Sequence, residues 1–155
     1  MENILVSSCL LGLNTKYNGS NNYNPLIEEI KKYYNIIPIC PEVLGGLSIP
    51  RDPSEINGDK VISINGTDVS LEYHKGAKIA LTQAIKYNCK IAILKDKSPS
   101  CGRVSYDGTF TKKLIDRNGI TYRLLESNGI KVYTENEIYI LLNNKWGSVL
   151  YYLIY

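Results

Sequence analysis

Three of the four cysteines stand where an apolar run that reads as a β-strand gives way to a turn: Cys9 in ILVSSCLLG, Cys40 in IIPICPEVLGG and Cys101 in IAILKDKSPSCG. In a parallel α/β sheet the loops leaving the carboxyl ends of the strands gather on one edge, where ligands bind. Thiols tens of residues apart can therefore meet there. Three thiols at one place suit a metal ion or an iron–sulfur cluster with a coordination position left open for chemistry. Soft thiolates favour iron–sulfur, zinc or copper(I) over magnesium or calcium, and these residues alone leave iron–sulfur and zinc both open. The competing reading is scattered core cysteines. Against it, each of the three neighbours Ser, Pro or Gly, the residues of turns. A redox pair lacks the C-x-x-C spacing it would need. Cys89 enters a strand from the opposite edge and reads as a small buried hydrophobe. The sole histidine, His74, falls at the start of a predicted helix and reads as a surface or cap residue.

The neighbours of these thiols complete the expected site. Glu42 follows Cys40 by two residues and could act as a base toward water or a bound substrate; otherwise it is a charge at a helix start. Ser98, Ser100 and the backbone of Pro99-Ser100-Cys101-Gly102 can donate hydrogen bonds, and Gly102 would let the backbone approach a ligand. Arg51 and Lys95 are the best-placed cations for an anionic substrate, with Ser8 and Tyr17 as further contacts near the first cysteine. There is no phosphate-binding glycine loop.

The elements that must position these residues alternate. NILVS (3–7), IIPI (36–39), VISI (61–64), IAIL (91–94) and IKVY (130–133) read as short strands. PLIEEIKKYY (25–34) has helical spacing with Pro25 suited to its first turn. A helix is predicted from Ser70 to about Asn88, and another over 120–127 stopped by Asn128-Gly129. Thr134 is expected to cap a last helix, 135–143. The loop over 12–24 and the stretch 45–57 read as irregular. Short apolar strands alternating with helices predict a single-domain three-layer αβα sandwich with a mostly parallel, Rossmann-like sheet. That domain is expected over 1–142, with an apolar tail over 143–155 packed on it or on a partner subunit.

Bulk properties are permissive. The chain has 155 residues, the size of one domain, and its net charge of +3, spread along the sequence, does not argue for a nucleic-acid groove. No signal peptide is visible and nothing approaches the ~20 apolar residues of a membrane span. A cytoplasmic location is expected, which speaks against structural disulfides.

Taken in order, VSSCLLG, CPEVLGGLSIPRDPSEI, LKDKSPSCG and YDGTF resemble the iron–sulfur-dependent thiouracil desulfidase family, from about Ile4 to Glu137. The resemblance implies a [4Fe–4S] cluster held by Cys9, Cys40 and Cys101 with one iron open to the sulfur of a thiolated pyrimidine. Water would replace that sulfur without net redox change, Glu42 handling the proton of the water and Ser98 assisting. Where the family loop reads Arg-Tyr-Asp-Gly, this chain has Lys16-Tyr17-Asn18-Gly19, keeping the cation and losing a carboxylate. Relatives acting on thiolated transfer RNA carry a further carboxyl-terminal domain. Only a short tail stands there in this chain, so 2-thiouracil, 4-thiouracil or a thiouridine monophosphate is expected rather than RNA. The alternatives are a zinc-dependent hydrolase or deaminase using the same three cysteines, and a non-catalytic iron–sulfur or sulfur-carrier protein.

Overall fold

A computed structural model describes residues 1–145. Along the chain come β1 (Glu2–Ser7), a 3-10 turn (Ser8–Leu11), α1 (Leu26–Ile30), β2 (Tyr34–Ile39), α2 (Pro41–Leu44), β3 (Ser54–Asn57), β4 (Lys60–Ser63) and α3 (Ser70–Lys86). There follow β5 (Ile91–Leu94), β6 (Ser105–Tyr106), β7 (Leu114–Ile115), α4 (Ile120–Ser127) and β8 (Lys131–Thr134). A 3-10 turn (Glu135–Glu137) then runs into a helix over 138–145.

The main sheet has the order β2-β1-β5-β8 with every neighbouring pair parallel. Its central strands β1 and β5 are buried on both faces, which is why they read as continuous apolar runs. In β1, Ile4 and Val6 pack on one side with Ile27 and Ile30 of α1 and with Ile138, Leu141 and Leu142. Leu5 faces the other side with Ala80 and Ala84 of α3, and Leu125 of α4. The three-layer αβα arrangement follows from that alternation. β2 is an edge strand paired only with β1, so Pro38 removes no bond to a second neighbour. The connections leaving β1 and β2 cover opposite faces, and the loops after β1 and β5 diverge. This switch point opens a crevice at the carboxyl edge.

Local departures from expectation have physical reasons. The helix expected over 25–34 ends at Ile30, because Tyr34 is already paired with Glu2 as the first residue of β2. The supposedly irregular stretch 45–57 holds β3, which forms an antiparallel hairpin with β4 through the two-residue loop Gly58-Asp59. Its apolar side, Ile56 and Val61, packs with Tyr73 and Ala77 of α3. The last helix begins as the 3-10 turn under a capping box, Thr134 with Glu137, before continuing through residue 145. The tail expected from 143 lies outside the described residues from 146 onward. Among the described residues no helix is long and apolar enough to cross a membrane.

The short α2 is pressed against α3 at a contact that only glycine permits. A Cβ on Gly45 would stand 1.9 Å from the Glu72 carbonyl oxygen, and one on Gly76 would stand 1.9 Å from that of Pro41. Helix propensity alone favours Gly76→Ala by about 1 kcal/mol. The backbone clash reverses the sign, since overpacking costs about 1–3 kcal/mol. Gly76→Ala is therefore expected to lower the thermal midpoint by several degrees; an increase would show that α2 can move off α3 freely.

Candidate functional site

The crevice is a cavity of about 490 Å³ at the carboxyl ends of β1, β2 and β5, and Cys9, Cys40 and Cys101 all line it together with Glu42 and Ser98. Each thiol is delivered differently. Cys9 sits in the 3-10 turn after β1, where its carbonyl accepts the Asn22 N–H at 2.9 Å. Cys40 is the N-cap of α2 and Pro41 the first helical residue, a position where its missing N–H costs nothing. Cys101 lies in a turn seated on the amino end of α4. The N–H groups of Gly119, Ile120 and Thr121 donate to the carbonyls of Gly102, Pro99 and Ser100 at 2.7–2.9 Å. Those helix-end donors have no partners inside the helix, so the turn satisfies them and is fixed by them.

Glu42 ties these segments together. Its Oε2 pairs with Arg51 Nη2 at 2.5 Å, and its Oε1 accepts from Tyr73 Oη at 2.9 Å and from Ser98 Oγ at 3.4 Å. Arg51 Nη2 also donates to the Thr15 carbonyl at 2.9 Å. Ser98 Oγ in turn accepts the N–H groups of Ser100 and Cys101 at 3.1 and 3.2 Å. Burial first, and then the adjacent Glu42 charge, push the Tyr73 phenol well above its usual range, so it stays a donor.

Burial also raises all three thiols. The Asn22 side chain opposes the rise at Cys9 and the Val43 N–H opposes it at Cys40. Cys101 is raised furthest, since it is enclosed and stands near Glu42. Buried, protonated thiols are poor nucleophiles. They become ligands when a metal displaces their protons, which favours a metal-holding role over covalent catalysis by cysteine. Among the described residues, no three His, Cys, Asp or Glu side chains converge on the position of one metal ion. The hydroxyl of Thr15, buried at the cavity wall without a hydrogen-bond partner, is a donor available to a bound group. Three soft ligands, an orphan donor and this volume fit an iron–sulfur cluster.

The other expected site residues divide. Ser8, Tyr17, Arg51 and Lys95 line the cavity, but both cations are already engaged: Arg51 with Glu42, and Lys95 with Glu135 at 2.7 Å. Lys16, Lys97 and Lys112 line it without an ion pair among the described residues. Ser100 does not reach the cavity. It is fully buried, with Oγ 2.7 Å from Thr121 Oγ1, so it pins the turn to α4 rather than facing a substrate. Gly102 likewise serves the turn, not a ligand: a Cβ there would meet the Val104 carbonyl oxygen at 2.4 Å and the Lys97 nitrogen at 2.7 Å. Cys89 is buried between α3 and β5, away from the cavity, and His74 is exposed. Sequence reasoning missed Thr15, Glu55, Tyr73 and Phe110 as cavity residues. Tyr73 had a signal, because it extends the helical stripe Ala77, Ala80 and Ala84 by one turn.

The model of the 2-thiouracil desulfurase family matches residues 4–137. The chain is 40% identical over 146 residues to the uncharacterized protein YbbK of Bacillus subtilis (strain 168), covering 87% of this chain and 97% of that protein. It superposes on a solved structure of the [4Fe-4S]-dependent thiouracil desulfidase TudS with a TM-score of 0.85 at 34% identity, covering 92% of this chain and 99% of that one.

The Ser100–Thr121 pair makes a stability prediction independent of chemistry. Ser100→Ala strands a buried hydroxyl and should cost about 1–3 kcal/mol in urea unfolding. Ser100→Ala combined with Thr121→Val removes both partners and should cost less than the two single losses summed. Strict additivity would deny the coupling.

Proposed function

The chain belongs to the 2-thiouracil desulfurase family, whose activity is cleavage of a C–S bond, and we propose that it replaces the sulfur of a thiolated pyrimidine by oxygen at a [4Fe–4S] cluster held by Cys9, Cys40 and Cys101. The observation that carries this reading is the shared cavity: three thiols from three distant loops, with an ion-paired carboxylate beside them. Bound there, the cluster would supply a Lewis-acidic iron not bound by cysteine, which makes a poor sulfur leaving group tolerable.

The protein's own groups do the rest. Water adds its oxygen to the ring carbon, the C–S bond breaks, and the sulfur leaves with its electron pair as sulfide; no oxidant or reductant is consumed. Glu42 takes the proton of the attacking water, and the Ser98 hydroxyl, in contact with Glu42 Oε1, passes a proton toward the departing sulfur. Arg51 and Tyr73 hold the carboxylate in place and stabilise its charge between turnovers. The substrate is a small molecule, and Lys16, Lys97 and Lys112 along the cavity, without an ion pair among the described residues, support a thiouridine monophosphate over the free thiobase.

Anaerobic reconstitution should give a brown protein that releases sulfide from 4-thiouridine monophosphate, and more slowly from 2- or 4-thiouracil. A cluster-loaded protein inert toward all of them removes this activity, and stoichiometric zinc without iron would favour a hydrolase instead. Cys9→Ala, Cys40→Ala and Cys101→Ala should each lose iron, whereas Cys89→Ala should keep it. Equal loss from all four would refute the ligand assignment.

Glu42→Gln separates the proton role from the cluster. Iron content should persist while sulfide release falls by about 10²–10⁴. Full activity in that variant would dismiss Glu42 as the base.

A further inference from the structure

Backbone strain in this protein is concentrated around the cavity. Among the described residues, four other than glycine have positive φ, and three of them, Lys97, Phe110 and Lys112, line the cavity; the fourth, Asn88, follows α3. Such conformations are costly and persist only where the surroundings impose them. Phe110 is the extreme case. It is the only phenylalanine in the chain, and a bulky aromatic at φ 60° is a genuine outlier.

A buried carboxylate imposes it. Glu55, in β3, is 8% exposed, and its Oε1 accepts the N–H of Gly108 at 3.0 Å and that of Phe110 at 3.1 Å. Gly108, at φ 96°, lies so close to β3 that a Cβ would stand 2.9 Å from the Ile56 carbonyl oxygen. Arg117 Nη2 donates to the carbonyls of Ile56 and Tyr106 at 2.6 and 3.0 Å, fastening the start of the same loop. The Asp107 N–H donates to the Lys113 carbonyl at 2.9 Å and closes its base. The loop between β6 and β7 is thus a braced arch that brings Phe110 and Lys112 to the cavity wall, Phe110 being its one aromatic residue.

We propose that Phe110 is the stacking platform for the substrate's pyrimidine ring and that Glu55 is the positioning residue that holds it there. A thiopyrimidine presents two flat π-faces, for which an aromatic side chain held in place is the matching surface. Tyr17, Tyr73 and Tyr106 also line the cavity, but Tyr17 is 41% exposed, the Tyr73 hydroxyl is committed to Glu42, and Tyr106 belongs to β6 at the foot of the arch. The inference deepens the desulfidase reading and rests on it for the identity of the ring.

The test uses the cluster-loaded protein, with sulfide release from 4-thiouridine monophosphate and 2-thiouracil as one readout. Calorimetric binding of uridine monophosphate and uracil, which carry no sulfur to lose, is the other. Phe110→Ala should raise KM and the Kd of these probes by about tenfold or more, with a smaller effect on kcat and unchanged iron content. Glu55→Ala should reproduce that shift, and the double variant should be no worse than Phe110→Ala alone, since Glu55 acts through Phe110. Glu55→Gln, whose amide oxygen can accept the same two N–H bonds, should restore most of the loss. Phe110→Ala with KM and Kd within twofold of the parent, in a protein that does release sulfide, overturns this inference and leaves the desulfidase reading standing. Phe110-dependent pyrimidine binding without sulfide release does the reverse.

Discussion

One buried carboxylate sets the geometry of the whole site. Glu42 is charged and largely withdrawn from water, and such a group is tolerated only when paired and hydrogen-bonded. Its partners come from three other segments: Arg51 from the loop before β3, Tyr73 from α3, and Ser98 from the turn that carries Cys101. Arg51 reaches on to the Thr15 carbonyl in the loop following Cys9. Satisfying one charge therefore fixes the relative positions of all three cysteine segments. A buried pair of this kind adds little net stability, yet breaking it costs about 3–5 kcal/mol. Its effect is on uniqueness of arrangement: the loops have one way to bury that charge, and that way places the thiols around a common space.

The glycine contact between α2 and α3 acts in the same direction. With no side chain at Gly45 or Gly76, the two backbones meet at carbonyl distance, and Tyr73 stands one turn before Gly76, within reach of Glu42. A larger residue at either place would push α2 outward and carry Cys40 and Glu42 with it. Backbone proximity thus supplies the distance that the hydrogen bond then locks.

Much of this was legible in the sequence because sheet topology does the long-range work. Short apolar runs followed by cysteine-bearing turns imply parallel strands whose loops share an edge, and Cys9, Cys40 and Cys101 do line one cavity there. Cys89 separated itself by lying at the other end of its strand. What could not be read locally depends on contacts across the chain. Arg51 and Lys95 looked like free cations, because nothing near them in sequence says that Glu42 and Glu135 neutralise them. Ser100 looked like a ligand contact because the turn's docking onto α4 is a tertiary event. β3 was hidden by Pro50 and Pro53 just before it, although the Gly58-Asp59 pair between Ile56 and Val61 is a hairpin signal.

The burial of the thiols bears on whether they act as bare cysteines or as ligands of a bound group. Enclosure raises Cys101 furthest of the three, and no positive group among the causes of its shift offsets that. Arg51 opposes the rise at Cys40 and Lys95 opposes it at Cys9, but each cation is already paired with a carboxylate and burial outweighs both. Three thiols held protonated around a water-accessible space are idle unless something displaces their protons, and a soft metal centre does so while using all three at once. The same arrangement leaves Glu42 with its partners intact, facing whatever occupies the cavity. On the proposed function, metal-holding and proton-handling would fall to residues two apart in sequence, Cys40 and Glu42, since the start of α2 presents both to the same cavity.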